Sequence, residues 1–137
     1  MNNARFQISV HILTLLAKAD GEPMSSELIA GSININPVLV RKEISVLRKA
    51  GMVQSKEGKN GGCFLAKNAQ NILLSDVYQV VRQDASVLGK SKNMPNPACL
   101  VGRQINHHIE GIYQIADDAI LESLGKISLA EFTNKFE

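Results

Sequence analysis

The chain has 137 residues, of which 45% are apolar and 20% charged, with a formal net charge of +2, two cysteines and no tryptophan. A chain of this length buries a core without disulfide staples, and two cysteines lacking CxxC spacing exclude both a disulfide framework and a zinc ribbon. No apolar run approaches the ~20 residues needed to span a bilayer, and MNNARF leads into a periodic helix instead of a signal peptide, so a cytoplasmic protein without membrane contact is expected.

The charge is unevenly spread. Residues 1–67 carry 9 Lys and Arg against 5 Asp and Glu, whereas residues 68–137 carry 6 against 8. Within 41–67 the ratio is 7 to 2, a footprint suited to a polyanion.

Residues 5–19, RFQISVHILTLLAKA, are apolar nearly all round and predict a helix in the middle of a core; His11 within it has no second ligand at i+3 or i+4 and reads as a packed histidine. After the turn at Asp20–Pro23, residues 24–51 read as two short helices with a tight connection. Ser25 and Ser26 can cap the first, and Asn36 followed by Pro37 supplies an N-cap and a first-turn proline for the second. At 100° per residue Val40, Ile44 and Leu47 form the second helix's buried stripe, with Val38, Arg41, Lys42, Ser45 and Lys49 opposite. Short polar and cationic side chains on such a helix suit the major groove of DNA.

Gly51 fits a helix C-cap. MVQS and CFLA around KEGKNGG then read as a β-hairpin, which after a helix-turn-helix makes a wing. Its tip offers Lys56, Lys59, Asn60, Gly61 and Gly62, two cations and an amide on a backbone that glycine lets approach a sugar-phosphate chain. Residues 72–83 predict a short helix closing the core with Val77, Val80 and Val81, and 84–97 lose periodicity and read as a mobile loop. From about 98 to 125 one long helix is expected, on the order of 35–40 Å at 1.5 Å per residue. Its stripe of Val101, Ile105, Ile109, Ile112, Ala116, Ala119 and Ile120 is wider than a small neighbour covers, which predicts packing on a second copy. Gly125 caps that helix, and Ile127, Ser128, Glu131 and Phe132 match a staple and capping box that start a last short helix.

The fold class expected is mainly α with a small hairpin wing: a winged helix-turn-helix over 1–67, then a helical region over 68–137. Its order and its residues resemble the Rrf-type bacterial transcription regulators, the family that includes IscR, NsrR and CymR. The resemblance is carried by Arg5-Phe6, His11-Ile12-Leu13, Ser25-Ser26 through Ile29-Ala30, Asn36-Pro37 with Val40-Arg41, Leu47 through Gly51, Gly61-Gly62 and Gly125 through Leu129. It implies a homodimer binding an inverted repeat in double-stranded DNA, most often as a repressor, with Val38, Arg41, Lys42 and Ser45 facing the major groove and Lys59–Gly62 entering the minor groove.

Two departures matter. Glu57 stands where many relatives carry arginine, leaving Lys56 and Lys59 to contact the minor groove. Iron–sulfur relatives carry three cysteines before the long helix; this chain has Cys99 alone, so no cluster or other cofactor is expected, and His107 and His108 on different faces do not repair the deficit. With Asn96 read as N-cap and Pro97 as first helical residue, Cys99 falls at the third position, where the helix dipole and Arg103 favour its thiolate and make it a candidate redox sensor. A small-molecule or protein effector is the other input. A module docking on a partner enzyme through the winged-helix scaffold is the alternative function; no catalytic set, P-loop or metal triad points to an enzyme.

Overall fold

A computed structural model describes residues 4–83, 85–89 and 93–137. Helix α1 (Ala4–Lys18) runs through the centre, with α2 (Ser26–Ile33) and α3 (Pro37–Lys49) on one side. Ile12, Leu13 and Leu16 of α1 are completely or almost completely buried against Ile29, Val40 and Leu47. The expected all-round apolar character of α1 therefore follows from its neighbours: α2, α3, α4 and α6 all pack on it.

The α2–α3 connection is three residues long. Asn34 closes α2 in the left-handed region at φ 63°, a conformation Asn tolerates better than most side chains, and its N–H donates to Ala30 O at 2.7 Å. Asn36 then opens α3, its Oδ1 accepting from Val38 N–H at 2.9 Å, with Pro37 in the first turn. Ser25 caps α2 by accepting from Leu28 N–H at 3.1 Å.

Strands β1 (Val53–Lys56) and β2 (Gly62–Leu65) pair antiparallel with Val53 opposite Leu65 and Lys56 opposite Gly62. Met24, just before α2, exchanges both backbone hydrogen bonds with Cys63 at 2.9 Å, so the wing is sewn to the entrance of the helix-turn-helix. Gly62 (φ 152°) lies so close to the Met24 backbone that no Cβ fits there.

A 3₁₀ turn at Ala69–Asn71 leads to α4 (Leu74–Arg82), whose Val77 is fully buried while Val80 and Val81 pack at the edge of the core. Helix α6 (Leu129–Thr133) starts at Ser128, whose Oγ accepts from Glu131 N–H at 3.0 Å, and buries Leu129 completely. Residues 4–67 and the helices α4 and α6 after them thus share one core.

Helix α5 (Leu100–Leu124) falls within the expected 98–125 and packs on α4. Asp117, on its buried side, ties three segments together. It pairs with Arg82 at 3.0 Å and accepts from Ser86 Oγ–H and Val87 N–H at 3.2 and 2.9 Å. That part of the expected 84–97 loop is therefore pinned to α5; of the mobility expected there, Asp84 and residues 90–92 lie outside the described residues. No described helix is long and apolar enough to cross a membrane.

Candidate nucleic-acid interface

The amphipathic split of α3 has the expected outcome: Val40, Ile44 and Leu47 are buried and Val38, Arg41, Lys42 and Lys49 are exposed, with Ser45 half-buried. Glu43 is the exception on the buried side, held by Arg5 at 2.9 Å. Val38 is 60% exposed and Leu39 50%, so two apolar side chains stand among the cations, as apolar contacts to thymine methyls require.

Arg41 is presented and lightly restrained. Its Nη1 lies 3.4 Å from Glu27 Oε1 and donates to Ser26 Oγ at 3.3 Å. With side-chain exposures of 52% and 69%, such a pair contributes only about 0–1 kcal/mol, so a guanine or phosphate can displace the carboxylate.

Arg48 belongs with this surface, although it was absent from the expected site. It lies two turns beyond Arg41, and its Nη1 donates to Ser55 Oγ of β1 at 3.3 Å, bracing α3 against the wing. The i, i+7 spacing of Arg41 and Arg48 was the available signal. Ser26, Arg41, Arg48, Lys56 and Gly62 all line one cleft of about 330 Å³ between α2, α3 and the wing. The reading helix and the hairpin are thereby joined into one cationic surface. At the wing tip Lys59 and Asn60 are exposed, Gly58 and Asn60 adopt φ of 92° and 65°, and Gly61 N–H donates to Gly58 O at 3.0 Å, a closed loop with its side chains outward.

Cys63 is buried, and burial pushes its thiol above the ordinary value of 9.0, with the backbone hydrogen bond as a smaller opposing influence. Cys99 is exposed, but not where the Asn-Pro signal put it. It is the N-cap of α5, its Sγ accepting from Gly102 N–H at 3.5 Å, and the third helical position is not its place. Asn96 Oδ1 caps a separate turn through Ala98 N–H at 3.0 Å, and this turn folds back so that a Cβ at Gly102 would come within 2.5 Å of Asn96 O. Arg103 donates to Pro97 O at 3.4 Å, away from the expected role beside the sulfur. His107 and His108 are exposed with rings edge to face at 5.4 Å, and among the described residues no three His, Cys, Asp or Glu side chains gather as a metal site.

Along α5, Val101, Ile105, Ile112 and Ala119 are exposed, and Ile109, Ala116 and Ile120 half-buried. Leu100 and Ile115, at 62% and 72%, widen the uncovered stripe.

A capped helix-turn-helix braced to a glycine-tipped wing, with cations gathered on one face, defines a winged-helix transcriptional regulator of a DNA-binding class. The chain belongs to the Rrf2 family, whose model, described as an iron-dependent transcriptional regulator, matches residues 2–135. Among similar proteins, the Bacillus subtilis (strain 168) protein YwnA, named as an HTH-type transcriptional regulator, is 36% identical over 134 residues, covering 98% of each chain. NsrR of Oceanobacillus iheyensis is 28% identical over 126 residues, 88% of this chain and 85% of that one. Among solved structures, CymR, described as the global cysteine regulator of B. subtilis, superposes with a TM-score of 0.73 at 25% identity, covering 100% of this chain and 98% of that one. These relatives are regulators and not enzymes.

Proposed function

We propose that the chain works as a homodimeric repressor that binds an inverted-repeat operator and is released by an input sensed near α5. The observation that carries this reading is the cleft joining Arg41 and Arg48 of α3 to Lys56 of the wing, a continuous cationic surface with Val38, Lys42, Ser45 and Lys49 beside it. In it α3 enters the major groove, and Lys59–Gly62 track the minor groove, with Asn36, Ser25 and Ser26 orienting the helix ends at the phosphates. The uncovered stripe of α5 supports two copies joined along it, which sets the spacing of the two half-sites.

The donor set does not suit an iron–sulfur cluster. Cys63 is buried with its proton held, and Cys99 is the one exposed thiol of the chain. Cys99 is suited instead to direct oxidation by a peroxide: its sulfur bonds one peroxide oxygen, the O–O bond breaks, and the other oxygen leaves as hydroxide, giving a sulfenic acid. That change adds an oxygen to the sulfur that accepts from Gly102 N–H and so alters the cap at the start of the dimer helix.

The test is selection of DNA from a random pool by purified protein under reductant and under mild peroxide, repeated with Cys99→Ser. Enrichment of a palindrome only under reduction, with C99S indifferent to peroxide, is the expected result. A palindrome enriched equally in all arms removes the thiol switch, and no enrichment in any arm overturns the operator reading.

A further inference from the structure

On α1, at the side of Ser32 of α2 and of α6, a groove of about 630 Å³ opens that the DNA-binding surface does not use. Its size falls within the several-hundred-Å³ range of small-molecule sites. One wall is a polar stripe along α1: Gln7, His11, Thr14 and Lys18 follow i, i+4, i+7, i+11 and so share a face. The opposite wall is apolar, built from Leu74 and the rings of Phe132 and Phe136, with Phe6 on the α1 side. None of the residues lining the groove is acidic.

We infer that this groove binds an apolar monocarboxylate, a hydrocarbon or aromatic body ending in one carboxylate. Charge fixes the polarity of the ligand. Lys18 lines the groove with Thr14 and His11 and has no ion pair among the described residues. Thr14 is occupied, its Oγ1 donating to Val10 O at 2.7 Å, so the groups left for a carboxylate are Lys18, the Gln7 amide and the His11–Ser32 pair. The phenylalanine wall takes the apolar body, whose burial supplies the non-directional part of the affinity.

The site has a route to the reading helix. His11 Nε2 and Ser32 Oγ are hydrogen-bonded at 2.9 Å, and this contact joins α1 to the last turn of α2, the helix that packs on α3. A carboxylate that takes up either partner exchanges a helix–helix bond for a ligand bond, and any difference in affinity between the two placements of α2 shifts their populations. That regulatory consequence rests on the operator reading; binding itself does not.

Because the chain has no tryptophan, Phe136→Trp gives a single reporter inside the groove. Emission is followed without DNA on addition of octanoate, 3-phenylpropanoate, octan-1-ol or octylamine, the two acids separating an acyl from an aromatic source. The expected result is a saturable shift with at least one acid, about tenfold weaker with the alcohol and the amine, and about tenfold weaker for that acid when Lys18→Gln is added, with the alcohol unchanged. No saturable shift with either acid up to roughly 10 mM overturns the inference, that being near the weak limit of a specific site. Equal response to acid, alcohol and amine also overturns it, as does an emission shift that follows protein concentration alone, since the second copy then fills the groove. If the acid binds, operator affinity measured with and without it shows whether the site regulates; failure of the operator reading leaves the fluorescence result intact.

Discussion

Arg5 and Glu43, 38 residues apart, form a two-pronged ion pair: Nε donates to Oε1 at 2.9 Å and Nη2 to Oε2 at 3.4 Å, while Nη1 donates to Val81 O at 3.2 Å. One guanidinium therefore fixes the start of α1, the inward face of α3 and the end of α4. Glu43 is 5% exposed, so removing Arg5 strands a carboxylate away from water. A fully buried broken pair costs roughly 3–5 kcal/mol; with a third of the Arg5 side chain in solvent, Arg5→Ala is expected to cost about 2 kcal/mol in urea unfolding. The double variant Arg5→Ala with Glu43→Gln should lose less than Arg5→Ala alone. With Glu43→Gln measured alone, losses of the two single variants that add up to the loss of the double would mean that the pair is not coupled.

Helix α5 predicts its own partner. Ile112 is 54% exposed on the single chain, so Ile112→Glu should leave the protomer folded while placing charge in the middle of any α5–α5 seam. Sedimentation should then show a single chain of 14.9 kDa in place of twice that mass, with an unchanged helical circular dichroism signal. Losing the linked second head should lower operator affinity by about 10²-fold or more. A variant that stays dimeric moves the interface off this stripe.

What was legible in the sequence was local. The buried stripe of α3, its Asn36–Pro37 start, the glycine wing and the Ser128 cap depend on residues within four or five positions of one another, and the 3.6-residue period reports them directly. Glu43 carries no local signal of burial because its partner, Arg5, lies 38 positions away. Asp117 was hidden for the same reason, its pair Arg82, the Ser86 hydroxyl and the Val87 N–H lying 30 or more positions away. Cys99 failed differently: Asn-Pro is a sound local start signal, but the Asn96 turn stacks on Gly102, and only after that turn does the helix proper begin. The groove on α1 was invisible because it draws on residues from Phe6 to Phe136.

Base reading and phosphate binding are expected to separate by residue. Arg41→Ala should cost about 1–3 kcal/mol on the preferred operator and little on unrelated DNA, relaxing specificity, if its guanidinium reads base edges as proposed. Lys59→Ala should weaken all sequences alike and reduce the slope of log K against log salt by about 0.9, the share of a single neutralised phosphate. Fluorescence anisotropy across a salt series on both DNAs measures each. Identical behaviour of the two variants would remove the division between helix and wing.

Alkaline pH should loosen the protein through two weak acids, the buried Cys63 and the half-buried Tyr78. Burial raises Cys63 above the ordinary 9.0, and burial, with the charge of Asp117 adding and the Arg82 guanidinium opposing, raises Tyr78 above 10.0. For both groups the folded state holds a proton that the unfolded chain releases first. Stability is therefore whole below pH 9.0, falls as pH rises through the unfolded value of each group, and stops falling once the raised folded value is passed. Urea midpoints measured from about pH 8 to 11 should decline in that order. Cys63→Ala should flatten the first part of the decline and Tyr78→Phe the second, whatever each costs at neutral pH. Profiles parallel to the unsubstituted chain in both variants would place the alkaline weakness in other groups, and a decline beginning well below pH 9.0 would exclude Cys63 as its first cause.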